Sequence, residues 1–360
     1  MACNRAKIMR IAFLVQLPEN VSPGQRFRIE QYKPHLDAAG YKYKSFPFFG
    51  EGTYKVLYKK GYVFQKAWGV FLGFLNRLMF LFKAGSYDYI FLQREAAPLG
   101  PPVFEWLLAR VFKKKLILDF DDAIWIPDSK NTWLNWFRCY WKVKWICKWS
   151  YKVVGGNEYL CSFARNYNNN VILIPTCVDT ENRHNKLKHH QERPLTIGWT
   201  GSHSTLKYLT PLVPLVKSLA EAFHIKVLII CNREPDFTFQ GLEFIKWDES
   251  TEIEDLLKIH IGIMPLVKDP WSEGKCGFKL IQYLSLGIPC AASPVGVNKE
   301  IIENGKTGFL CNSDHEWREA LTTLLNEESL RVRMGLEGRE KIKSSYSISV
   351  YGRDFLNLFH

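Results

Sequence analysis

Lys279 and Gln282 stand three residues apart inside residues 271–310, WSEGKCGFKLIQYLSLGIPCAASPVGVNKEIIENGKTGFL. On a helix that spacing puts both side chains on one face. A lysine in the first turn of a helix adds a full positive charge to the unpaired N–H groups and positive dipole end already there, which suits phosphate. An amide on the same face can hydrogen-bond the hydroxyls of a sugar. The pair therefore suits a ligand that carries both a diphosphate and a ribose. The surrounding residues supply the elements that must position it. Gly274 to Gly277 form a glycine-flanked loop, and Phe278, Leu280, Ile281, Leu284 and Leu286 follow with a helical apolar period. Gly287 and Pro289 end that helix. Ile288 to Ala292 reads as a short buried strand. Ser293 to Val297 is a second tight loop, and Asn298 is expected to cap a helix beginning near Lys299, with Glu300 in its first turn. An ordinary βα unit with a surface lysine would read the same way, because glycine loops of this kind are common.

The segments KLIQYLSLGIPCAASPVG and NKEIIENGKTGFL resemble the signature region of glycosyltransferase family 4, the retaining group-1 enzymes of GT-B fold. The resemblance implies two Rossmann-like doubly wound domains facing a central cleft, a nucleotide-activated sugar held by the second domain, and an acceptor held by the first. It also implies a last helix that crosses back to the first domain. In the family the second of two acidic residues, eight apart, holds ribose hydroxyls. That position is Gln282 here, and an amide can still bond a diol. The residue eight before it is Gly274, so Glu273, one step out of register, is the candidate for the first. Glu300 resembles the family's glutamate beside the second loop, which contacts the donor. The resemblance further implies that Lys279 and the loop N–H groups around Gly201, Gly296 and Val297 stabilise a phosphate leaving group by electrostatic preorganisation, with no metal and no protein nucleophile.

At 360 residues, 47% hydrophobic and 14% aromatic, the chain suits two domains that each bury a core. Its nine cysteines are scattered without CxxC or Cys/His metal spacing, and read as reduced, buried thiols of a cytoplasmic protein. No signal peptide is expected, and no uninterrupted apolar run reaches the roughly 18 residues that span a bilayer. The net charge of +12 is unevenly placed. Residues 1–190 hold 29 Lys and Arg against 14 Asp and Glu, whereas residues 191–360 hold 19 against 22. Eight of the twelve tryptophans also lie in the first half. A basic, aromatic half implies an anionic partner, either a membrane surface or a nucleic acid.

Residues 8–16 read as a first strand, followed by a loop and by Arg26 and Arg28 at the start of a helix. Similar arginines in bacterial family members imply contact with an anionic acceptor or the donor phosphates. The alternative is a pair of solvated arginines. Residues 55–83 (KVLYKKGYVFQKAWGVFLGFLNRLMFLFK) are apolar, aromatic and basic. They suit a helix lying in a membrane interface, or a helix packed on the sheet with a charged outer face. A strand at 87–94 ends on Arg94, assigned to the same acceptor or phosphate contacts. Asp119, Asp121 and Asp122 close the strand LILDFDDAIW, at the edge where open α/β sheets bind ligands. Resemblance assigns Asp121 and Asp122, with Glu273, to the transferred sugar or acceptor, and capping of the next loop is the plainer role. Trp141, Trp145 and Trp149, four apart, form a helical stripe, an arrangement more often found in a core.

Residues 181–194 (ENRHNKLKHHQERP) lack any apolar period and read as a linker. The expected division is 1–180, the linker, 195–345, and a returning segment at 346–360. The second domain opens on a strand ending at Gly201 and Ser202, whose backbone can approach a phosphate. His203 and Lys207 stand where the family often carries an arginine and a lysine. The whole reading is a cytoplasmic, metal-independent hexosyltransferase without a cofactor, using UDP- or GDP-sugar. Its acceptor would be a glycan or lipid-linked glycan for bacterial surface polysaccharide, met at the anionic inner face of the cell membrane. No nucleic acid is expected. A GT-B sugar-nucleotide epimerase would need no acceptor, and a nucleic-acid-binding protein would show steep salt dependence and no preference for a nucleotide sugar.

Overall fold

The structure, a computed structural model, describes residues 8–127 and 132–360. It divides into two units, Met1–Pro175 with Gly352–His360, and Thr176–Tyr351. Each is built on a six-stranded, all-parallel sheet.

In the first unit the strands are β1 (Arg10–Val15), β2 (Lys42–Pro47), β3 (Tyr89–Gln93), β4 (Lys115–Phe120), β5 (Lys152–Gly155) and β6 (Val171–Leu173), in the order β2-β1-β3-β4-β5-β6. The interior strands are continuous apolar runs because both faces are covered: Ile11 to Leu14 and Ile90 to Leu92 are fully buried. The chain reverses direction at β1 and β3. Right-handed crossovers therefore place the helices between β2 and β6 on one face. These include Val63–Lys83, Val103–Trp106 and Lys142–Trp149. On this face Phe74 meets Phe104 with ring centroids 6.1 Å apart, and Lys142 Nζ donates to the Ala97 carbonyl at 2.8 Å. The returning helix Ile348–Asn357 brings Phe355 onto Tyr32, stacked at 4.2 Å, and Phe359 against Tyr89 and Phe91.

Two expectations change here. Trp141 and Trp145 are exposed, and the buried face of the Lys142–Trp149 helix is Lys142, Val143, Ile146 and Cys147 instead. The tryptophan stripe thus faces outward. Second, the apolar helix runs on through Asn76 and Arg77. Among the described residues, Val63–Ser86 is long and apolar enough to cross a membrane by length and composition, and about one-third of its most apolar stretch is buried.

In the second unit the strands are β7 (Thr196–Gly201), β8 (Lys226–Cys231), β9 (Leu242–Lys246), β10 (Ile261–Met264), β11 (Cys290–Ala292) and β12 (Gly308–Leu310), in the order β12-β11-β10-β7-β8-β9. This is the strand order of a dinucleotide-binding sheet, with its switch point between β7 and β10. Segment 181–194 does not behave as a linker. It packs onto this unit: Arg183 pairs with Glu249 and Glu252, Lys188 N–H donates to the Leu286 carbonyl, and the buried His190 ring meets the Gly287 carbonyl at 2.9 Å. Its polarity marked partners rather than solvent. The unit boundary accordingly falls after Pro175, ahead of the expected position.

Candidate active site

The switch point of the second sheet is where loops after β7, β10 and β11 leave the strands on their carboxyl side. Gly277, in the left-handed region at φ +65°, precedes the helix Phe278–Ser285. Lys279 is the second residue of that helix, and its ammonium lies 5.4 Å from the centroid of the Trp199 ring. A methyl group on Gly201 would stand 2.7 Å from that ring and 2.9 Å from Lys279 Cε. Gly201 is therefore small because the lysine stem crosses it. One turn on, the buried Tyr283 hydroxyl accepts a hydrogen bond from Thr200 N–H at 2.8 Å. Tyr283 thereby fixes the helix against the end of β7, and Lys279, four residues earlier, lies across Gly201 beside it. Tyr283 and Trp199 were missed in the sequence. The i,i+4 relation of Tyr283 to Lys279 was visible there, but nothing marked Trp199 as its floor.

Gln282 is 3% exposed, and its Nε2 has no acceptor among the described residues. A buried amide donor left unpaired costs about 1–3 kcal/mol, so such a group points to a ligand acceptor. The second loop lies beside the same helix start: a methyl on Gly277 would stand 3.1 Å from Val297 Cγ1. Gly296 abuts the backbone of Glu273, where a methyl would stand 3.0 Å from the carbonyl oxygen. Among the described residues no backbone acceptor takes the N–H groups of Gly296 and Val297. Asn298 is not the expected cap. It is the first residue of the helix Asn298–Ile301, is fully buried, and donates through Nδ2 to the Ser293 carbonyl at 3.0 Å, which closes the loop. Glu300 is exposed on that short helix. Glu273 ends the helix Pro270–Glu273, whose cap Asp269 accepts from Ser272 N–H at 2.7 Å. Ser202 Oγ bonds Ser204 Oγ at 2.8 Å, and Lys207 lies over the Tyr208 ring. The structure thus gathers Gly201, Lys279, Gly296, Val297 and Glu273 through linked contacts.

The first sheet gathers a different set at its own carboxyl edge. Arg94 follows β3 in the left-handed region at φ +69°, a conformation rare for a side chain of this size. Its guanidinium stands 3.6 Å from Asp122. Asp121 lies against Gly24, where a methyl would stand 2.9 Å from Oδ2. Burial, then the neighbouring Asp122, push the Asp121 carboxyl above its ordinary range, and Arg94 and Arg28 oppose this. Arg28 is not presented to a ligand. It is buried, pairs with Asp119 through Nε at 3.1 Å and through a second nitrogen, and also donates to the Ile174 carbonyl. Burial outweighs this pairing at Asp119, whose carboxyl is also raised. Arg26 is buried over the Phe27 ring. Among the described residues no group of three or more His, Cys, Asp or Glu is placed to hold a metal ion.

Residues 240–341 match the model of the group 1 glycosyl transferases. That segment contains every loop of the second-unit site except the one after β7. No curated protein sequence matches the chain. In fold it is similar to sucrose-phosphate synthase from Thermosynechococcus elongatus, at TM-score 0.70 and 14% identity over 98% of both chains. It is also similar to a glycosyltransferase from Rickettsia africae, at TM-score 0.68 and 15% identity over 98% of both chains. A third relative in fold is Anabaena HepE in complex with UDP-glucose, at TM-score 0.68 and 12% identity, over 97% of this chain and 98% of that one. These glycosyltransferases share two parallel α/β sheets with this chain. Its fold is GT-B, as the sequence led one to expect.

Proposed function

We propose that the chain is a retaining, metal-independent hexosyltransferase that takes its sugar from a UDP- or GDP-sugar and needs no cofactor. The observation that carries this reading is the unpaired, buried Gln282 amide, one turn from Lys279 on a helix inside the group 1 segment. In this reading Gln282 donates to a ribose hydroxyl. Lys279 and the N–H groups of Gly296 and Val297 take up the negative charge that grows on the diphosphate as the sugar–oxygen bond breaks. Fixed donors of this kind need no reorganisation at the moment of reaction. Trp199 and Gly201 hold the lysine stem in place. Glu273 and Glu300 stand beside the loop that would face the sugar.

The acceptor is a glycan or a lipid-linked glycan of bacterial surface polysaccharide, reached at the inner face of the cell membrane. What supports an acceptor role for the first unit is the charged group Arg94, Asp121 and Asp122 at its strand edge. A raised Asp121 carboxyl can hold a proton or accept one from a hydroxyl. The test is a thermal-shift panel of UDP-, GDP-, ADP- and CMP-sugars, each with Mg²⁺ and with EDTA. Ligand binding raises apparent stability by mass action. One nucleotide class is expected to stabilise the protein equally in both conditions. A shift that vanishes in EDTA would overturn metal independence, and no shift with any donor would overturn the reading of the site.

A further inference from the structure

The helix Val63–Lys83 is apolar on two opposite faces, and only one is used by the fold. The inward face carries Gly69, Gly73, Arg77, Phe80 and Leu81. Gly73 lets the helix approach so closely that a methyl there would stand 2.4 Å from the Phe48 ring. Arg77, 1% exposed, donates to the carbonyls of Ala96, Phe46 and Val15 at 2.6, 2.8 and 2.7 Å. The outward face carries Phe64, Trp68, Phe71, Leu75, Leu78 and Phe82. Steps of three and four residues keep these six on one stripe. Their exposure runs from 39% at Leu75 to 92% at Phe64, with Phe82 at 85%.

The charge around this stripe has one sign. No acidic residue occurs from Gly52 to Tyr87, and Lys55, Lys59, Lys60 and Lys83 are exposed at the two ends of the helix. A second acid-free run, residues 129–157, supplies exposed Lys144 and Lys148 on the Lys142–Trp149 helix of the same sheet face, beside exposed Trp141 and Trp145.

We propose that the outward stripe is a docking face for an anionic lipid bilayer, with the helix lying in the plane of the interface. Aromatic and aliphatic side chains of such a helix sink to the headgroup–acyl boundary while flanking lysines stay among the anionic headgroups. A second copy of the chain fits less well. It would set lysines against lysines, with no carboxylate in residues 52–87 to pair them. A membrane-spanning helix is disfavoured by Arg77, because turning the inward face to lipid would break three buried hydrogen bonds and leave the arginine in hydrocarbon. Docking does not depend on the transferase reading. Its meaning, delivery of the first unit to a lipid-linked acceptor, does rest on it.

The experiment is flotation with phosphatidylcholine vesicles, with and without phosphatidylglycerol, at low and high salt. The wild type is expected to float with the anionic vesicles. F64S/F71S/F82S, all at exposed positions, is expected to lose about tenfold or more in bound fraction. K55Q/K59Q/K60Q is expected to lose the salt-sensitive part alone. Nitroxide labels at F64C and F82C, about 27 Å apart along the helix, are expected at the same shallow depth. Absence of wild-type flotation, or equal flotation of the serine variant, would overturn the proposal. So would labels on opposite sides of the bilayer, or a dimer that the serine variant abolishes without any vesicle binding. Donor-induced thermal shift is measured on the same samples. A shift without flotation removes the docking face alone, and flotation without a shift removes the transferase reading alone.

Discussion

At the carboxyl edge of the first sheet Arg28 is buried against Asp119, and nearby Arg77 donates to the carbonyls of Val15 and Phe46 at the ends of β1 and β2 and of Ala96 in the loop after β3. At the same edge of the second sheet Lys279 rests on an aromatic ring, and among the described residues the buried Gln282 amide nitrogen has no acceptor and two loop N–H groups have no backbone acceptor. Both sheets are parallel and both reverse direction at their switch point. The first therefore uses much of its strand-end charge to hold its own loops. The second leaves neutral donors for a ligand to complete. The same architecture supports two kinds of surface because strand order fixes where a crevice falls, while side chains decide whether the fold itself fills it.

The comparison can be broken most decisively at Arg77. Arg77→Met should destabilise the protein by about 3–5 kcal/mol, because three carbonyls lose a buried charged donor and the buried Glu105 loses the nearby positive charge. Urea unfolding followed by the first-half tryptophans measures it, and a loss under about 1 kcal/mol would mean the first edge is not held by its buried charge. At the second edge the same kind of truncation should act on function. Lys279→Ala is expected to lower turnover about 10²- to 10³-fold while leaving the unfolding midpoint nearly unchanged. A comparable loss of stability would make the lysine structural. Gln282→Leu sharpens the contrast, since it removes an unpaired buried donor while keeping the volume. Stability should hold or rise, and donor affinity should fall about tenfold. Isothermal titration with the donor and a denaturation curve would separate the two.

Near neutral pH the smallest expected effect is in pH dependence. His260 is buried, accepts Thr196 N–H at Nδ1 and, among the described residues, has no partner at Nε2. Burial, followed by the nearby charge of Lys188, lowers its pKa from 6.5 to about 3. Between those values the unfolded chain binds the proton and the folded chain does not. Stability should therefore fall as pH drops below 6.5, with a slope approaching about 1.4 kcal/mol per pH unit from this one group. His190, also lowered by burial, acts in the same direction. His260→Asn keeps an acceptor for Thr196 and should flatten the slope. An unchanged slope would assign the acid sensitivity elsewhere.

Much of this molecule was legible before any fold was seen. Most strands among the described residues follow apolar runs bounded by turn residues, as β1, β3, β4, β8 and β10 do, because a buried parallel strand has no polar face to hide, whereas the charged edge strand β2 and the three-residue β12 do not. That Lys279 and Gln282 share one helix was legible from the apolar period around them. Asn298 was misread, since a capping residue type at a helix start says nothing about which carbonyl its amide will find. Segment 181–194 was misread for a related reason. Its lysines, arginines and histidines look solvated until Glu249, Glu252 and the carbonyls of 286 and 287 are brought against them.

The sequence alone determined the alternation of strand and helix, the one-sided charge of the first half and the glycine-rich character of the loops at the second sheet's carboxyl edge. These are local or compositional properties, carried by neighbours in the chain. Only the tertiary structure decided that Trp199 and Gly201 hold Lys279, that Arg28 belongs to Asp119, and that one apolar face of Val63–Lys83 stays uncovered. Each of these depends on which distant backbone arrives alongside, and on whether a buried polar group finds its partner within the fold.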